Sequence, residues 1–369
     1  MKPFVPQKLP LEQVEWGPLI PLIASANRSL AFFDGVLQGI SNPELLLSPL
    51  TTQEAVLSSR IEGTQATLGD VLKFEAGEKP SEVQRQEDIR EIMNYRRALR
   101  QAEQALKQKP FNLNLLKDLH ATLLDSVRGR NMARGRFRTV QNWIGLPNTP
   151  IEQAHFIPPE PELVPEYLDN WEKYYHMQRP DALVQLAIVH AQFEIIHPFL
   201  DGNGRLGRMI IPLFLYEKRL LSRPMFYLSA FLEEHREAYV SHLRSLGQTS
   251  DAWNAWIEFF LTGVEHQARA NAEKARNIMA LYDRLKEEVI TLTHSQFAVP
   301  LLDKMFAHPV FQISQLSWKN MPTRPMMNTL ISKLKDAGIV EVLRRGSGRR
   351  GQVFVLAELI NTAEGKKVV

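Results

Sequence analysis

The stretch HPFLDGNGRLGR, residues 197–208, joins two segments with helical periodicity, residues 183–196 and 205–219. Pro198 disfavours helical geometry in the residue before it, so the first helix is expected to end at His197. The imidazole of His197 then lies at the mouth of a loop, where it can act on a substrate. A helix, a glycine-rich loop and a second helix are therefore expected at the centre of a mainly α-helical protein.

The glycines of this loop predict an anion-binding site. Gly202 and Gly204 allow the backbone to turn its N–H groups inward, and together with the N-terminus of the second helix these groups form a cradle for an anion such as phosphate. Arg205 and Arg208 are three residues apart in the first turn of that helix, so both can reach phosphate oxygens from one side. Asp201 supplies the hard oxygen ligand that Mg²⁺ accepts when it also binds substrate phosphates.

Three other interpretations of the loop compete with this one. The glycine spacing of residues 202–207 also occurs in dinucleotide-binding loops, but such a loop must follow a strand, and residues 183–196 have helical length and several polar positions. The loop could instead be a plain helix–helix turn that carries surface arginines. His197 could be a metal ligand, although no second histidine lies at the helical spacing of metal ligands.

The composition is that of a folded protein. Of 369 residues, 44% are hydrophobic and 23% are charged, and the length predicts two or three domains of about 100–200 residues each. The sequence contains no cysteine, which excludes disulfides, a thiolate nucleophile and cysteine-ligated metal centres. The N-terminal residues lack the apolar region of a secretory signal, and no apolar stretch of about 18 residues occurs. We therefore expect a cytoplasmic protein with no membrane partner.

The basic residues are concentrated at the C-terminal end. Residues 295–369 contain 11 Lys and Arg against 5 Asp and Glu, a local net charge of +6, whereas the whole chain has +3. Helical periodicity over residues 323–337 is followed by IVEVLRRGSGRRGQVFVL, in which two strands flank a Gly-Ser-Gly turn. This order predicts a winged-helix domain.

A winged helix suggests DNA as a partner, through a recognition helix and a basic wing. Winged helices also bind proteins or dimerise, and an arginine-rich hairpin also occurs as a plain soluble edge, so these alternatives stay open. The candidate DNA-contacting residues are Arg324, Lys333, Lys335, Arg344, Arg345, Arg349 and Arg350.

Two segments that precede the loop in the sequence also have recognisable structural signals. Thr51 lies three residues before Glu54, which predicts a capping box and a helix over residues 51–63 with Gly63 as its stop. Residues 134–161 contain glycine, asparagine and five prolines between short apolar pairs, so they are expected to form a hairpin or an extended loop.

Residues 197–208 resemble the motif of the Fic family, HPFx[D/E]GNGRxxR, and every fixed position is matched. The resemblance extends over roughly residues 45–265 and includes FRTVQNWIG, residues 137–145, and LSRPMFYLSAFLEEHREAY, residues 221–239. It implies a helical fold and an enzyme, a nucleotidyltransferase that transfers AMP from ATP to a hydroxyl group of a protein and releases pyrophosphate.

The resemblance also implies a role for each residue of the motif. His197 is similar to the general base that takes the proton from a Ser, Thr or Tyr hydroxyl, a task that suits an imidazole near pH 7. Asp201 resembles the Mg²⁺ ligand of the family. The residues that resemble the binding site for the ATP phosphates are Gly202, Asn203, Gly204, Arg205 and Arg208.

An inhibitory element is suggested by SSRIEG, residues 58–63, which resembles the family's motif [S/T]xxxE[G/N]. Ser58 and Glu62 are four residues apart on one helical face, so the hydroxyl can orient the carboxylate. By the same resemblance, Glu62 pairs with Arg208 and competes with ATP. A solvated glutamate before a helix C-cap at Gly63 is the simpler alternative, and removal of AMP from a modified protein is an alternative activity for the same glutamate.

The resemblance also assigns residues 134–161 to a β-hairpin flap that pairs with an extended segment of the target, whereas a purely structural hairpin is the alternative. The expected partners are a protein target, the protein itself through self-modification, DNA and a second copy in a homodimer. The predicted divisions are an N-terminal helical region with the inhibitory helix (1–110), a Fic catalytic core with the flap (111–265), a helical linker (266–294) and a winged-helix domain (295–369).

Overall fold

The computed structural model describes residues 2–126, 132–145, 150–246, 251–348 and 350–368, and these residues are mainly helical, as predicted. The helices are α1 (Trp16–Gln38), α2 (Pro43–Leu46), α3 (Ser48–Ile61), α4 (Leu68–Glu75), α5 (Val83–Leu106), α6 (Leu113–Leu123), α7 (Val164–His176), α8 (Ala182–Ile196), α9 (Asn203–Glu217), α10 (Ser229–Glu234), α11 (Arg236–Ser245), α12 (Ala252–Thr293), α13 (Ala298–Ala307), α14 (Arg324–Asp336) and α15 (Ala357–Glu364). The strands are β1 (Val310–Phe311), β2 (Glu341–Arg344) and β3 (Val353–Val355).

The chain folds into two compact units that are discontinuous in sequence. The first unit comprises the residues up to Asp34, Leu57–Thr64 and Met93–Arg269. The second comprises Gly35–Val56, Gln65–Ile92 and the residues from Ala270 onward. Within the described ranges, no helix combines the length and the apolar character needed to cross a bilayer.

Helix α8 is the central element of the first unit and packs against α7 and α9. Almost all of its side chains are buried, which fits a helix that is apolar around most of its circumference. The indole N–H groups of Trp171 and Trp256 donate to carbonyl oxygens of this helix, at Val189 and Ala187, each over 2.8 Å. This packing fixes the C-terminus of α8, at which the glycine-rich loop begins.

The second unit contains a three-stranded antiparallel sheet in the order β1-β3-β2, with Val310 opposite Val355. Helix α4 contributes Leu68 and Leu72 to a hydrophobic cluster that also contains Val310 and Val355 of the sheet. In chain order, α13, β1, α14, β2 and β3 have the arrangement that the winged-helix interpretation requires, and that interpretation stays a prediction.

The capping box expected at Thr51 is not the start of a helix. Helix α3 begins at Ser48, so Thr51 lies inside it, and the Thr51 hydroxyl donates to the carbonyl of Leu47 (3.5 Å). A proline is tolerated in the first turn of a helix, which lets α3 include Pro49. The stop at Gly63 is confirmed, since α3 ends at Ile61 and Gly63 has φ +99°.

Two other predicted helices differ in their bounds. Helical periodicity in the sequence predicts a helix over about residues 231–246, but the structure has two helices there, α10 and α11, separated at His235. The same periodicity predicts a helix over residues 113–127, whereas α6 ends at Leu123, and Val127 lies outside the described residues.

The capping box that does form is at α4, where the Thr67 hydroxyl accepts from the Asp70 amide (3.2 Å) and the Asp70 carboxylate accepts from the Thr67 amide (2.9 Å). We expect Thr67→Ala to lower the free energy of unfolding by about 1 kcal/mol, because it removes an N-cap acceptor. Thr51→Ala is the matched control, with an expected loss below about 0.5 kcal/mol, since Thr51 caps no helix. Urea denaturation of both variants measures the difference, and equal losses would contradict the assignment.

Candidate active site

The loop between α8 and α9 begins and ends with a left-handed residue. His197 is the C-cap of α8, with φ +48° and ψ +60°, and its amide donates to the carbonyl of Phe193 (3.0 Å). Gly202 is the N-cap of α9 and has φ +80°, a conformation that glycine adopts without strain. The expected end of the first helix before Pro198 is confirmed. The loop follows a helix and not a strand, which excludes a dinucleotide-binding loop.

The imidazole of His197 is held in one tautomer. Its Nδ1 lies 3.3 Å from the carbonyl oxygen of Glu194, so Nδ1 carries the proton and Nε2 is left as an acceptor. Burial lowers the pKa of His197 to about 4, which keeps the ring neutral at neutral pH. A neutral imidazole with its acceptor nitrogen unprotonated has the form that a general base needs.

Asn203 braces the loop through its side chain. Its Oδ1 accepts from the amide of Phe199 (2.9 Å) and its Nδ2 donates to the carbonyl of Phe199 (2.8 Å). Asn203 is 2% exposed and both polar atoms of its side chain are used within the loop, so an anion is left with the backbone amides of the first turn of α9.

Arg208 and Glu62 form an ion pair, as the resemblance implies. The Nη2 atom of Arg208 donates to Oε1 of Glu62 over 2.6 Å, and the side chain of Arg208 is 2% exposed against 41% for Glu62. Desolvation raises the pKa of Glu62, but the charge of Arg208 and its hydrogen bond outweigh this and hold the pKa below its ordinary value. Glu62 is therefore an ionised carboxylate at neutral pH.

Ser58 contacts the guanidinium of Arg208. The Nε atom of Arg208 donates to the hydroxyl oxygen of Ser58 (2.9 Å), and Nη2 donates to the carbonyl of Ser58 (2.8 Å). The hydroxyl of Ser58 thus orients the guanidinium, and not the Glu62 carboxylate as the spacing had suggested.

Gly204 permits the close approach of Glu62 to the N-terminus of α9. A Cβ atom at position 204 would overlap Oε1 of Glu62 and lie 3.0 Å from Nη1 of Arg208. The carboxylate therefore lies where the cradle would receive an anion.

Arg205 lies on the same helix with its side chain 5% exposed, and its Nη2 is 3.6 Å from Oδ2 of Asp201. Because Arg205 and Arg208 are both buried, a plain turn with surface arginines is excluded. The carboxylate of Asp201 is 47% exposed and accepts from the amide of Gly202 (2.6 Å).

Asp201 fits the expected mode of Mg²⁺ binding. No group of three or more His, Asp or Glu side chains suited to a metal occurs in the part of the chain that the structure describes. Mg²⁺ is commonly bound through one or two carboxylates, waters and the phosphates of a substrate, and one exposed carboxylate beside an anion cradle suits that mode.

His120 supports the loop from α6 and was missed by the sequence analysis. Its Nδ1 accepts from the amide of Gly135 (2.8 Å), so its Nε2 donates to the carbonyl of Asp201 (3.0 Å). The ring stacks on Phe199 with a centroid distance of 3.9 Å. Burial lowers the pKa of His120 to about 4, so it is a neutral support. No local sequence signal indicates this role, since 81 residues separate His120 from Asp201.

Three further side chains, also missed by the sequence analysis, surround Arg208. His190 donates from Nδ1 to the carbonyl of Gly207 (3.0 Å), and its Nε2 accepts from the hydroxyl of Tyr239 (3.0 Å). Glu194 lies against Gly207, and among the described residues its Oε1 has no hydrogen-bond partner. Burial raises the pKa of Glu194 to about 8 although the charge of Arg208 lowers it, so this carboxyl is largely protonated at pH 7. The sequence did hold a signal for Glu194, because a residue three positions before His197 lies on the same helical face and so near the site.

One cavity of about 890 Å³, a volume within the range of small-molecule sites, is lined by Glu62, Glu194, His197, Asp201, Gly204, Arg208 and Tyr239. Residues of the predicted flap and of α11 complete the wall, namely Trp143, Ile144, His155, Phe156, Val240 and Leu243.

The described part of the flap pairs through one antiparallel bridge. The amide of Ile144 donates to the carbonyl of Phe156 (2.9 Å), and the reverse bond is 3.1 Å long. Residues 146–149 of the predicted hairpin lie outside the described residues.

Among the candidate DNA-contacting residues of the predicted C-terminal domain, those that the structure describes lie in the second unit, on α14 and in the segment that begins with β2. Arg324, Lys333 and Lys335 are exposed on α14. Arg344 forms an ion pair within the unit, since its Nε lies 2.5 Å from Oε1 of Glu78. Arg349 lies outside the described residues.

The chain is similar to proteins of one family. The model described as Fic/DOC family N-terminal matches residues 20–104, and the model described as Fic/DOC family matches residues 110–215. The chain is 28% identical over 206 residues to a probable protein adenylyltransferase of Aquifex aeolicus, which covers 54% of this chain and 56% of that protein. It is 33% identical over 84 residues to the protein adenylyltransferase fic-1 of Caenorhabditis elegans, which covers 22% of this chain and 15% of that protein. The chain thus spans about half, or less, of the length of these relatives.

The fold is similar to that of solved Fic structures. A Fic family protein from Desulfovibrio desulfuricans superposes with a TM-score of 0.60 at 18% identity, over 93% of this chain and 97% of that chain. A Fic domain containing signaling protein from Bacteroides thetaiotaomicron has a TM-score of 0.53 at 20% identity, over 71% of this chain and 96% of that chain. At these identities the comparison establishes the fold.

Glu194→Gln should change the pH dependence of stability. The folded chain keeps Glu194 protonated up to about pH 8, whereas the unfolded chain ionises it near 4.5, so wild-type stability should fall as pH rises through this window. Glutamine does not ionise, so the stability of the variant should not fall in this way. The difference in free energy of unfolding, variant minus wild type, should therefore increase by about 2–4 kcal/mol between pH 4 and pH 8. Urea denaturation at both values measures it, with the exposed Glu234→Gln as control. Equal pH dependence in wild type and Glu194→Gln would show that Glu194 is not protonated in the folded state.

Proposed function

The chain belongs to the Fic/DOC family, and from the geometry of its cavity we propose that it is a protein adenylyltransferase that transfers AMP from ATP to a Ser, Thr or Tyr hydroxyl and is inhibited by Glu62. One observation carries the proposal. The neutral imidazole of His197 faces the same cavity as the N-terminus of α9 and the guanidinium of Arg208. A proton acceptor and a phosphate-binding site thus lie together, as transfer of a nucleotidyl group to a hydroxyl requires.

In the proposed reaction His197 is the general base. Its Nε2 takes the proton of the target hydroxyl while the hydroxyl oxygen attacks the α-phosphorus of ATP. The bond from the α-phosphorus to the bridging oxygen breaks, and pyrophosphate leaves. The tie from Nδ1 to the carbonyl of Glu194 keeps Nε2 directed at the cavity and stabilises the imidazolium that forms.

The triphosphate is expected to bind at the N-terminus of α9. The amides of Asn203 and Gly204 and the helix dipole stabilise its negative charge, and Arg205 and Arg208 supply the cations. Asp201 would hold the Mg²⁺ that, when bound, neutralises phosphate charge and orients the leaving group.

Glu62 and the γ-phosphate are alternative partners of Arg208. The carboxylate occupies Nη2 of Arg208 and lies over Gly204, so a triphosphate in the same place meets both a steric block and a like charge. ATP can therefore bind productively only when Glu62 moves away.

The target is expected to be an extended protein segment that pairs with the flap beside Ile144. Main-chain pairing tolerates many sequences, so the flap can position hydroxyls of unrelated segments, including those of the protein itself.

Glu62→Gly should raise the rate of AMP transfer, because it releases Arg208 and removes a negative charge from the phosphate site. We expect an increase of about tenfold or more, with Glu62→Gln in between because it keeps the side-chain volume. The measurement is transfer from ATP labelled at the α-phosphate, both to the protein itself and to proteins of a lysate. Arg208→Ala should stay impaired when combined with Glu62→Gly, and full rescue would contradict competition for Arg208.

An unchanged or lower rate in Glu62→Gly would mean either that Glu62 has a structural role or that it acts mainly in the removal of AMP, by activating a water. Incubation of an AMP-modified target with wild type and with Glu62→Gly separates these two cases, because removal would require the carboxylate and would be lost in the variant.

His197→Ala in the Glu62→Gly background should lower transfer by about 10²–10⁴-fold, because the proton acceptor is lost. Binding of ATP, measured by calorimetry, should change little since the phosphate site is intact. His294→Ala, at an exposed position, is the control. Transfer at the parent rate in His197→Ala would remove His197 from the role of base.

A further inference from the structure

Arg138, near the start of the flap, is a buried cation whose observed hydrogen bonds all go to backbone oxygens. Its side chain is 2% exposed. Nε donates to the carbonyl of His197 (2.9 Å), and Nη2 donates to the carbonyls of Pro159 (2.5 Å) and Ile196 (3.4 Å). Its own amide donates to the carbonyl of Pro198 (2.9 Å). Burial lowers the pKa of Arg138 to about 10, and the charge of Glu162 offsets only part of the cost of this burial, so the arrangement calls for an explanation.

The backbone conformation of His197 explains why a cation is buried here. His197 has φ +48°, in the left-handed region that costs a residue with a Cβ about 1 kcal/mol or more. Carbonyls at the C-terminus of a helix lack intrahelical donors and favour a cation, and those of Ile196 and His197 end α8. Arg138 satisfies both and thereby holds the peptide planes on either side of His197.

The same guanidinium also binds the far end of the flap. Arg138 and Pro159 lie near opposite ends of the segment that contains the Ile144–Phe156 bridge. A second hydrogen bond also connects the flap to the loop, since Nδ2 of Asn142 donates to the carbonyl of Phe199 (2.9 Å). The ends of the flap and the peptide that carries the base therefore share one anchoring group.

We propose that Arg138 is a positioning residue that holds His197 in its left-handed conformation and fixes the base relative to the flap on which the target segment pairs. The consequence for AMP transfer rests on the proposed function, whereas the placement of His197 does not. Lysine cannot replace Arg138 in this role, because an ammonium is a point donor and cannot reproduce the planar fork that spans three carbonyls.

The test compares Arg138→Lys and Arg138→Met in the Glu62→Gly background, with Arg136→Lys and Arg136→Met as exposed controls two residues away. We expect the maximal rate of self-modification to fall by about 10²-fold in both Arg138 variants, because a base displaced by about 1 Å loses its alignment with the hydroxyl. The ATP concentration for half-maximal rate, and the calorimetric affinity for ATP, should stay within about twofold of the parent. The Arg136 variants should match the parent in all three measurements.

A second measurement does not depend on activity. The pKa of His197 can be followed by NMR of ¹⁵N-labelled histidine, with the resonance assigned by comparison with His197→Gln. Burial lowers this pKa to about 4 in the wild type, and the charged groups that face the ring are Glu62, Arg138 and Asp201. In Arg138→Lys the positive charge is kept, so a rise of the pKa toward 6.5 reports release of the ring from its buried position.

The outcomes are distinct. An unchanged maximal rate and an unchanged His197 pKa would overturn the proposal. So would loss of ATP binding together with activity in both Arg138 variants, because Arg138 would then support the fold in general. If the Glu62→Gly parent transfers no AMP, the proposed function fails, and the His197 pKa in Arg138→Lys still decides whether Arg138 positions the ring.

Discussion

The buried guanidinium of Arg208 is the constraint on which the site depends. A cation at 2% exposure needs an anionic partner, since an unpaired buried charge costs several kcal/mol. Glu194 is close but largely protonated, so Glu62 is the carboxylate that supplies the charge. The site can therefore exist in two electrostatically satisfied forms, one with Glu62 and one with a phosphate at Arg208. Under the proposed function, inhibition and nucleotide binding both meet the same requirement of Arg208 for a counter-ion.

The loop and Arg208 are supported from three distant parts of the sequence and from within the loop itself. His120 holds the carbonyl of Asp201, Arg138 holds that of His197, and Ser58 holds the guanidinium of Arg208. Asn203 braces the loop from within. Each of these contacts fixes a backbone or a charged group that would be strained or unsatisfied alone. The loop is thus preorganised by its surroundings, which lowers the reorganisation needed when a substrate binds.

Local rules predicted the parts of the site that are close in sequence. The effect of Pro198 on the preceding residue predicted the end of α8 and the start of the loop. The spacing of Arg205 and Arg208 placed both arginines on one side of α9, next to the loop. The supports could not be predicted, because tertiary packing alone brings His120 and Arg138 to the loop. The capping box failed at Thr51 because its pattern is short and recurs inside helices, and the start of α3 at Ser48 took precedence. The protonated state of Glu194 follows from burial, which a sequence does not display.

The hydrophobic cluster of the second unit has a consequence for how such a chain can evolve. Helix α4 follows the segment that carries Glu62, and its Leu68 and Leu72 are buried with Val310 and Val355 of the C-terminal sheet. A gene rearrangement that removed the residues after Ser295 would leave the apolar face of α4 uncovered, only a few residues from Glu62. The C-terminal part therefore cannot be exchanged as an independent cassette. It must be inherited together with α4 and thus with the neighbouring segment that carries Glu62, the residue to which the proposed function assigns inhibition.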